Sequence, residues 1–381
     1  MTAVPFAERG GTVRGLLDLA TGCYPAFLFG GSVRALPVFH FHEVTRAWLQ
    51  PRLEYLIDNG YRTVTCDAIA RLVLEGVDPG RRAVALTFDD AWASVWTVAM
   101  PLLRRLKLQA IVFAIPARVA DAAAVRPTME EAEADVEADA GRAAEGSPAW
   151  GSPFATWPEL RAMLESGVFD VQSHTRSHAK VFCDGPVTSF VTPAFASEPY
   201  LDRPLAPPGA ASRFVEPEAL GTPLYLRRSR MSDALRFLPD EAAAGRCREH
   251  VAQRGGARFF DRPGWRQELD AIAQSGAGGR LEDEETRAAA IADEINEGRA
   301  LLNDRLGTTT VRHVALPWGI AGEVTRRALP GSGHVTAFAE RPLQRRGVRA
   351  GDNPYGLMRL NSKFLTCLPG RGRQWFFTAV R

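Results

Sequence analysis

Lysine is nearly missing from this 381-residue chain: Lys107, Lys180 and Lys363 stand among 46 basic residues, and the other 43 are arginine. Codon bias accounts for that preference as readily as function does, so it assigns no partner. An excess of charge is missing too. With 46 basic against 44 acidic residues the formal net charge is +2, which gives no whole-molecule attraction to nucleic acid or to an anionic membrane. Cysteine is scarce and unpatterned. Cys23, Cys66, Cys183, Cys247 and Cys367 are odd in number, widely spaced and without a C-x-x-C pair. That excludes a disulfide framework and a zinc knuckle, and it fits free thiols in a reducing compartment. No apolar run approaches the ~20 residues of a spanning helix, so no transmembrane segment is expected. The opening stretch MTAVPFAERGGTVRGLLDLATG is interrupted by Glu8, Arg9, Arg14 and Asp18, which leaves no room for the apolar centre of a secretory signal. The expectation is a cytoplasmic chain, with export left open.

What is present is ordinary for a globular protein: 46% hydrophobic and 24% charged residues, enough to bury a core without disulfides. Its length admits one large domain or two to three small ones at roughly 100–200 residues each. LPVFHFHEV at 36–44 reads as a strand, 46–60 as a helix, 61–65 as a short strand and 67–76 as a helix. AVALTF at 83–88 and AIVFAI at 110–115 are continuous apolar runs, as in strands covered on both faces, with a helix expected over 92–107 between them. Strands alternating with helices predict βα units and a parallel sheet or barrel. The rhythm stops in the acidic, alanine-rich segment 121–149 and resumes with a helix at 157–167 and a strand at 169–172. It stops again in the proline-bearing block 184–280, where a helix at 239–254 is the clearest element. It resumes with a helix at 284–306, a strand at 311–316, a helix at about 321–328 and a strand at 334–338.

Two clusters carry chemistry. Asp89 and Asp90 follow the buried run 83–88, where a strand would end, and strand C-termini are where parallel α/β folds place their sites. Adjacent side chains there point apart, so one carboxylate can bind a metal while the other faces a substrate. His174 and His178, in SHTRSH after the strand 169–172, share a face if the segment turns helically, and such a pair suits a divalent metal. Composition alone predicts only about 0.1 such pairs, so the pair is suggestive. Joined to Asp90 it makes three protein ligands and an open position, the requirement of a hydrolytic metal site.

TFDD at 87–90, SHTRSH at 173–178 and ALPWG at 315–319, in that order, resemble the polysaccharide deacetylase family (carbohydrate esterase family 4). VFHFHEV resembles the YHxI/V opening of the branch that includes poly-N-acetylglucosamine deacetylases, and GHVTAFAE at 333–340 and NPYGLMRL at 353–360 resemble that branch's closing strands. The resemblance covers about 36–120, 154–183 and 284–365. It implies a distorted (β/α)7 barrel with a long insertion. It also implies Asp90, His174 and His178 as ligands of a divalent metal ion, zinc first among the candidates, and Asp89 as the catalytic base. The reaction implied is hydrolytic removal of an N-acetyl group from an acetamido sugar of a polysaccharide or glycan precursor, with metal-bound water as nucleophile. Pro317, Trp318 and Gly319 would line the sugar site, and a backbone N–H near Trp318 would help hold the oxyanion.

Three departures from the family pattern stand out. Ala315 occupies the place where many members carry an arginine that orients the base, although the YHxI/V branch also commonly lacks it. Ala91 follows TFDD where glycine is usual. The late Leu-x-His that carries the general acid is replaced by LeuMetArgLeu at 357–360, and the expected substitute is His42, with His40 two residues away on the same strand face. His250, His313 and His334 are expected to be structural, and Trp92, Trp96 and Trp157 to be core. Two alternatives stand beside the deacetylase: an amidase acting on a non-sugar amide through the same site, and a non-catalytic glycan-binding relative. The partner implied is an acetylated carbohydrate; no protein partner is inferable. The whole chain, 1–381, is expected to be one catalytic domain interrupted by 121–149 and 184–280, with selectivity residing largely in those two inserts.

Overall fold

The apolar runs of the sequence become the centre of one parallel sheet. The structure, a computed structural model, describes residues 25–131, 152–276, 278–339 and 346–379. Cys23, the opening stretch read for a leader and most of the acidic segment 121–149 lie outside the described residues. The described chain divides into two compact units. The first takes the residues up to Ser177 with 295–319 and those from Leu329 on; the second takes 178–294 and 320–328. In chain order the strands are β1 (Val38–Phe41), β2 (Arg62–Thr63), β3 (Ala83–Asp90), β4 (Ala110–Ala114) and β5 (Phe169–Ser173). They continue as β6 (Lys180–Phe190), β7 (Pro223–Ser229), β8 (Phe237–Leu238), β9 (Arg280–Leu281), β10 (His313–Ala315), β11 (Thr336–Phe338) and β12 (Leu360–Asn361).

In the first unit seven strands pair in the order β11-β10-β5-β4-β3-β1-β12, with β2 added beside β3, and every pairing is parallel. A further parallel bridge, Phe338 to Leu357, ties β11 to the segment that enters β12. The sheet therefore curls toward closure, and the expected distorted (β/α)7 barrel is the fold that forms. Every residue of β3 and β4 is buried, as strands covered on both faces must be. Phe41 stacks on Phe88 at 4.9 Å, and Phe88 meets Phe169 edge-on at 5.7 Å. These rings lie within one hydrophobic cluster with Leu49, Leu53, Leu56 and Leu160 from the surrounding helices. The helix expected over 92–107 forms over 93–105, with a π-helical turn, Val95–Ala99, ahead of the segment Met100–Arg105. Pro101 lacks the N–H that would bond the carbonyl four residues back, so the turn widens there.

The helix Trp157–Glu165 starts at Thr156, whose backbone N–H donates to Glu159 Oε2 at 2.8 Å. The same Glu159 carboxylate, fully buried, accepts from the backbone N–H of Arg126 at 2.9 Å and from its guanidinium at 2.7 Å. Arg126 in turn donates to the carbonyls of Ser152 and Phe154. A buried, fully bonded charge pair thus fixes the path of residues 152–154.

The second unit has its own small cores. β6 pairs antiparallel with β7, and β8 with β9. Phe182, Val191, Phe195, Leu224 and Tyr225 form one cluster; Phe190, Cys247, Val251, Phe259 and Leu269 form another. The helix expected at 239–254 spans Glu241–Gln253, N-capped by Asp240. β6 is an eleven-residue strand in a stretch where Gly185 and Pro186 read as breakers. Its register shifts between Phe182 and Val187 and again between Val187 and Ser189, and bulges are where a strand tolerates glycine and proline. A buried ion pair, Arg230 with Glu282, joins the loop after β7 to the residue after β9. Among the described residues no helix is long and apolar enough to cross a membrane.

Candidate active site

β3 ends on two carboxylates that the backbone sends apart. Asp90 and Ala91 both take the left-handed conformation, φ 69° and 54°, a region that costs a residue with a Cβ about 1–2 kcal/mol. Two hydrogen bonds hold this turn: Ala155 N–H donates to the Ala91 carbonyl at 2.7 Å, and Ala93 N–H to the Pro153 carbonyl at 2.8 Å.

Asp89, 3% exposed, accepts a two-pronged bond from Arg359, at 2.5 Å on Oδ1 and 2.7 Å on Oδ2. Arg359 also donates to Thr87 Oγ1 at 3.1 Å and lies over the rings of Phe113 and Phe338. Burial pushes the Asp89 carboxyl upward. The charge of Arg359, then that of His174, outweighs burial and holds the group well below the usual carboxylate range. His42 Nε2 lies 3.9 Å from Asp89 Oδ2, with its side chain 55% exposed. His40 meets His42 edge-on at 5.6 Å. Burial, then the positive charge of Arg359, lowers the His40 imidazole to about 3.

His174 Nε2 lies 4.0 Å from Asp89 Oδ2 and nearer still to Asp90. Asp90 Oδ1 is 3.4 Å from His174 Nε2, and its Oδ2 accepts the indole N–H of Trp92 at 2.9 Å. His174 Nδ1 lies 2.7 Å from the Ala315 carbonyl. A carbonyl can only accept, so Nδ1 carries the proton and Nε2 is left to face Asp90. Burial disfavours the charged His174 ring, and the carboxylates of Asp89 and Asp90 outweigh that and raise it. The pair His174 and His178 does not lie on a helix. Thr175 and His178 are both left-handed, φ 65° and 53°; His174 N–H bonds the Ala114 carbonyl, and the Arg176 carbonyl accepts from Ala117 N–H. The turn is packed against Gly298, where a Cβ would come within 2.7 Å of Arg176 N and of the Thr175 carbonyl carbon.

Asp90, His174 and His178 are buried, and one ligand atom from each lies within 4.8 Å of the others. Around an ion with bonds of ~2.1 Å a tetrahedral edge is about 3.4 Å, the separation already present between Asp90 and His174. One carboxylate and two imidazoles, with one imidazole tautomer set by a backbone carbonyl, fit a divalent metal such as zinc. Of the residues expected from sequence, Asp89, Asp90, His174, His178 and His42 come together. Pro317 is buried and Trp318 half-buried, with Trp318 left-handed at φ 54° in the turn that follows the Ala315 carbonyl. His313 bonds Thr336 and Asp67, His334 bonds Ser332, and His250 bonds Glu268.

Two site residues escape sequence reasoning. Arg359 stands within the LeuMetArgLeu that replaced Leu-x-His, and it makes the bond to Asp89 that Ala315 cannot make. A lost arginine at 315 together with a new one at a strand entrance was the available signal. Trp92 does pack against the core, as its spacing suggests, and nothing in that spacing pointed at its bond to Asp90.

Residues 76–198 match the family model described as polysaccharide deacetylase. The similarity to that family covers about a third of the chain. The matched stretch contains Asp89, Asp90, His174 and His178, and leaves out His42, Trp318 and Arg359. The poly-β-1,6-N-acetyl-D-glucosamine N-deacetylase of Escherichia coli (strain K12) is 25% identical over 161 residues, 42% of this chain and 21% of that protein. YxkH of Bacillus subtilis (strain 168), which carries the family's name, is 25% identical over 88 residues, 21% of this chain and 32% of its own. The chain thus spans a third or less of the curated relatives it matches. Among solved structures, the deacetylase domain of BpsB from Bordetella bronchiseptica is similar with a TM-score of 0.49 and 17% identity, covering 85% of this chain and 94% of that one.

Proposed function

We propose that this chain is a metal-dependent deacetylase that hydrolyses the N-acetyl group of an acetamido sugar, releasing acetate and a free amine. The observation that carries the reading is the division of labour at the end of β3. Asp89 is bonded by Arg359 and stands 4.0 Å from His174 Nε2, while Asp90 is nearer that nitrogen at 3.4 Å and groups with both histidines, so the adjacent carboxylates have different partners. Asp90, His174 and His178 would hold a divalent ion, which when bound would supply Lewis acidity toward water and the amide carbonyl. Asp89, kept anionic by Arg359, takes the proton of the attacking water. His42, 3.9 Å from Asp89 and open to solvent on its other side, gives a proton to the nitrogen as the C–N bond breaks, because an amide anion does not leave unprotonated. The turn Pro317–Gly319 is proposed to line the sugar and to offer a backbone N–H to the oxyanion. The name of the Escherichia coli relative supports a polymer of N-acetylglucosamine as the substrate class.

The test is acetate release from N-acetylglucosamine oligomers, β-1,6 and β-1,4 linked. Replacing the base by Asp89→Asn, and separately the acid by His42→Asn, is expected to lower kcat by about 10²–10⁴-fold each, with the metal still bound. Wild-type rates in a folded Asp89→Asn protein would sink the assignment of the base.

A further inference from the structure

We infer that Trp92 is a positioning residue for the metal site: its indole N–H occupies Asp90 Oδ2, so that Asp90 offers a single oxygen, Oδ1, to the ion. The inference rests on the reading of Asp90 and His174 as metal ligands. The indole N–H lies 2.9 Å from Oδ2, while Oδ1 faces His174 Nε2 at 3.4 Å. A carboxylate whose second oxygen is already engaged binds in one orientation, and groups that orient a ligand in this way sharpen both affinity and geometry. The donor is itself held. The Trp92 ring stacks on Phe154 with centroids 4.8 Å apart and planes inclined by 27°. The two backbones form an antiparallel bridge, and the flanking bonds from Ala155 to Ala91 and from Ala93 to Pro153 close the ladder around it.

The support extends one layer further. Arg126 donates to the Phe154 and Ser152 carbonyls while its guanidinium is bound to the buried Glu159, and Trp96 donates to the Arg126 carbonyl at 2.6 Å. Residues 152–155 are therefore a fixed wall against which the indole rests. The wall also secures the left-handed pair Asp90–Ala91, whose strain would otherwise relax and swing the carboxylate. Trp92 acts through Asp90.

Trp92→Phe removes the donor and keeps the ring. The metal-free wild type and variant are titrated with Zn²⁺ against a chromophoric chelator, and the visible spectrum is recorded with Co²⁺ bound. Metal binding is expected to weaken about 10- to 100-fold, with an altered Co²⁺ spectrum and unchanged melting of the metal-free protein. Acetate release would then recover toward wild type as metal is added in excess. A folded variant that binds zinc within twofold of wild type and gives the same Co²⁺ spectrum overturns the inference. Should Trp92→Phe fail to fold, Phe154→Leu keeps the donor and removes its brace, and it is subject to the same two outcomes. Asp90→Asn and His174→Asn separate this inference from the reading beneath it. If both bind zinc as wild type does, the metal site itself is elsewhere; if both weaken binding and Trp92→Phe does not, only the role of Trp92 falls.

Discussion

At the scale of single residues, two adjacent aspartates acquire different partners. Asp89 is bonded by the Arg359 guanidinium with His42 and His174 about it, and Asp90 by the Trp92 indole with His174 and His178 beside it. Arg359 is the residue on which the proposed base depends, because it satisfies both carboxylate oxygens and its flat guanidinium fits between them and the rings of Phe113 and Phe338. Lysine keeps the charge but cannot make the two-pronged bond. Arg359→Lys is expected to lower kcat by about 100-fold through misplacement of Asp89, with zinc affinity close to wild type, since Asp90, His174 and His178 are untouched. Steady-state kinetics beside a metal titration check both halves. Equal loss of zinc affinity and turnover would place Arg359 with the metal and not with the base.

At the scale of elements, the site depends on turns that deny their usual conformations. The pattern H-x-x-x-H in the His174–His178 segment would pair the rings if the segment turned helically, but a left-handed Thr175 and a left-handed His178 bring them together by another route. What lets the turn sit where it does is Gly298 in the helix Glu284–Leu306. Alanine would improve an exposed helix by about 1 kcal/mol, but here its Cβ would meet backbone atoms of Thr175 and Arg176 at 2.7 Å. Gly298→Ala is therefore expected to destabilise the protein by about 1–3 kcal/mol and to cut activity by displacing His174, as read from denaturant midpoints and acetate release. A stabilised variant would show that the helix and the turn are not in contact. The βα rhythm, the buried strands and Asp89, Asp90, His174 and His178 were legible because period, apolar runs and ligand types are local. Arg359 and Trp92 were not. One meets its partner 270 positions away in the chain, and the other is a near neighbour whose spacing fits a core helix equally well. β6 was hidden by Gly185 and Pro186, which read as a break and sit in bulges.

At the scale of the whole molecule, the site exists only when the curled sheet forms. β3 lies between β4 and β1, β1 leads into His42, β5 leads into His174, β10 sets the carbonyl that orients it, and the segment entering β12 brings Arg359. A net charge of +2 is compatible with a neutral sugar chain and would not have suggested one. The measurement that bears most directly on a metal-dependent deacetylase is acetate and free amine released together from an N-acetylglucosamine oligomer as the protein is stripped with chelator and reloaded with zinc. The expected result is equal amounts of both products, loss of activity on stripping and its return on reloading. Activity that persists after the metal is removed, or its absence in the reloaded protein on every acetamido sugar offered, would contradict the assignment.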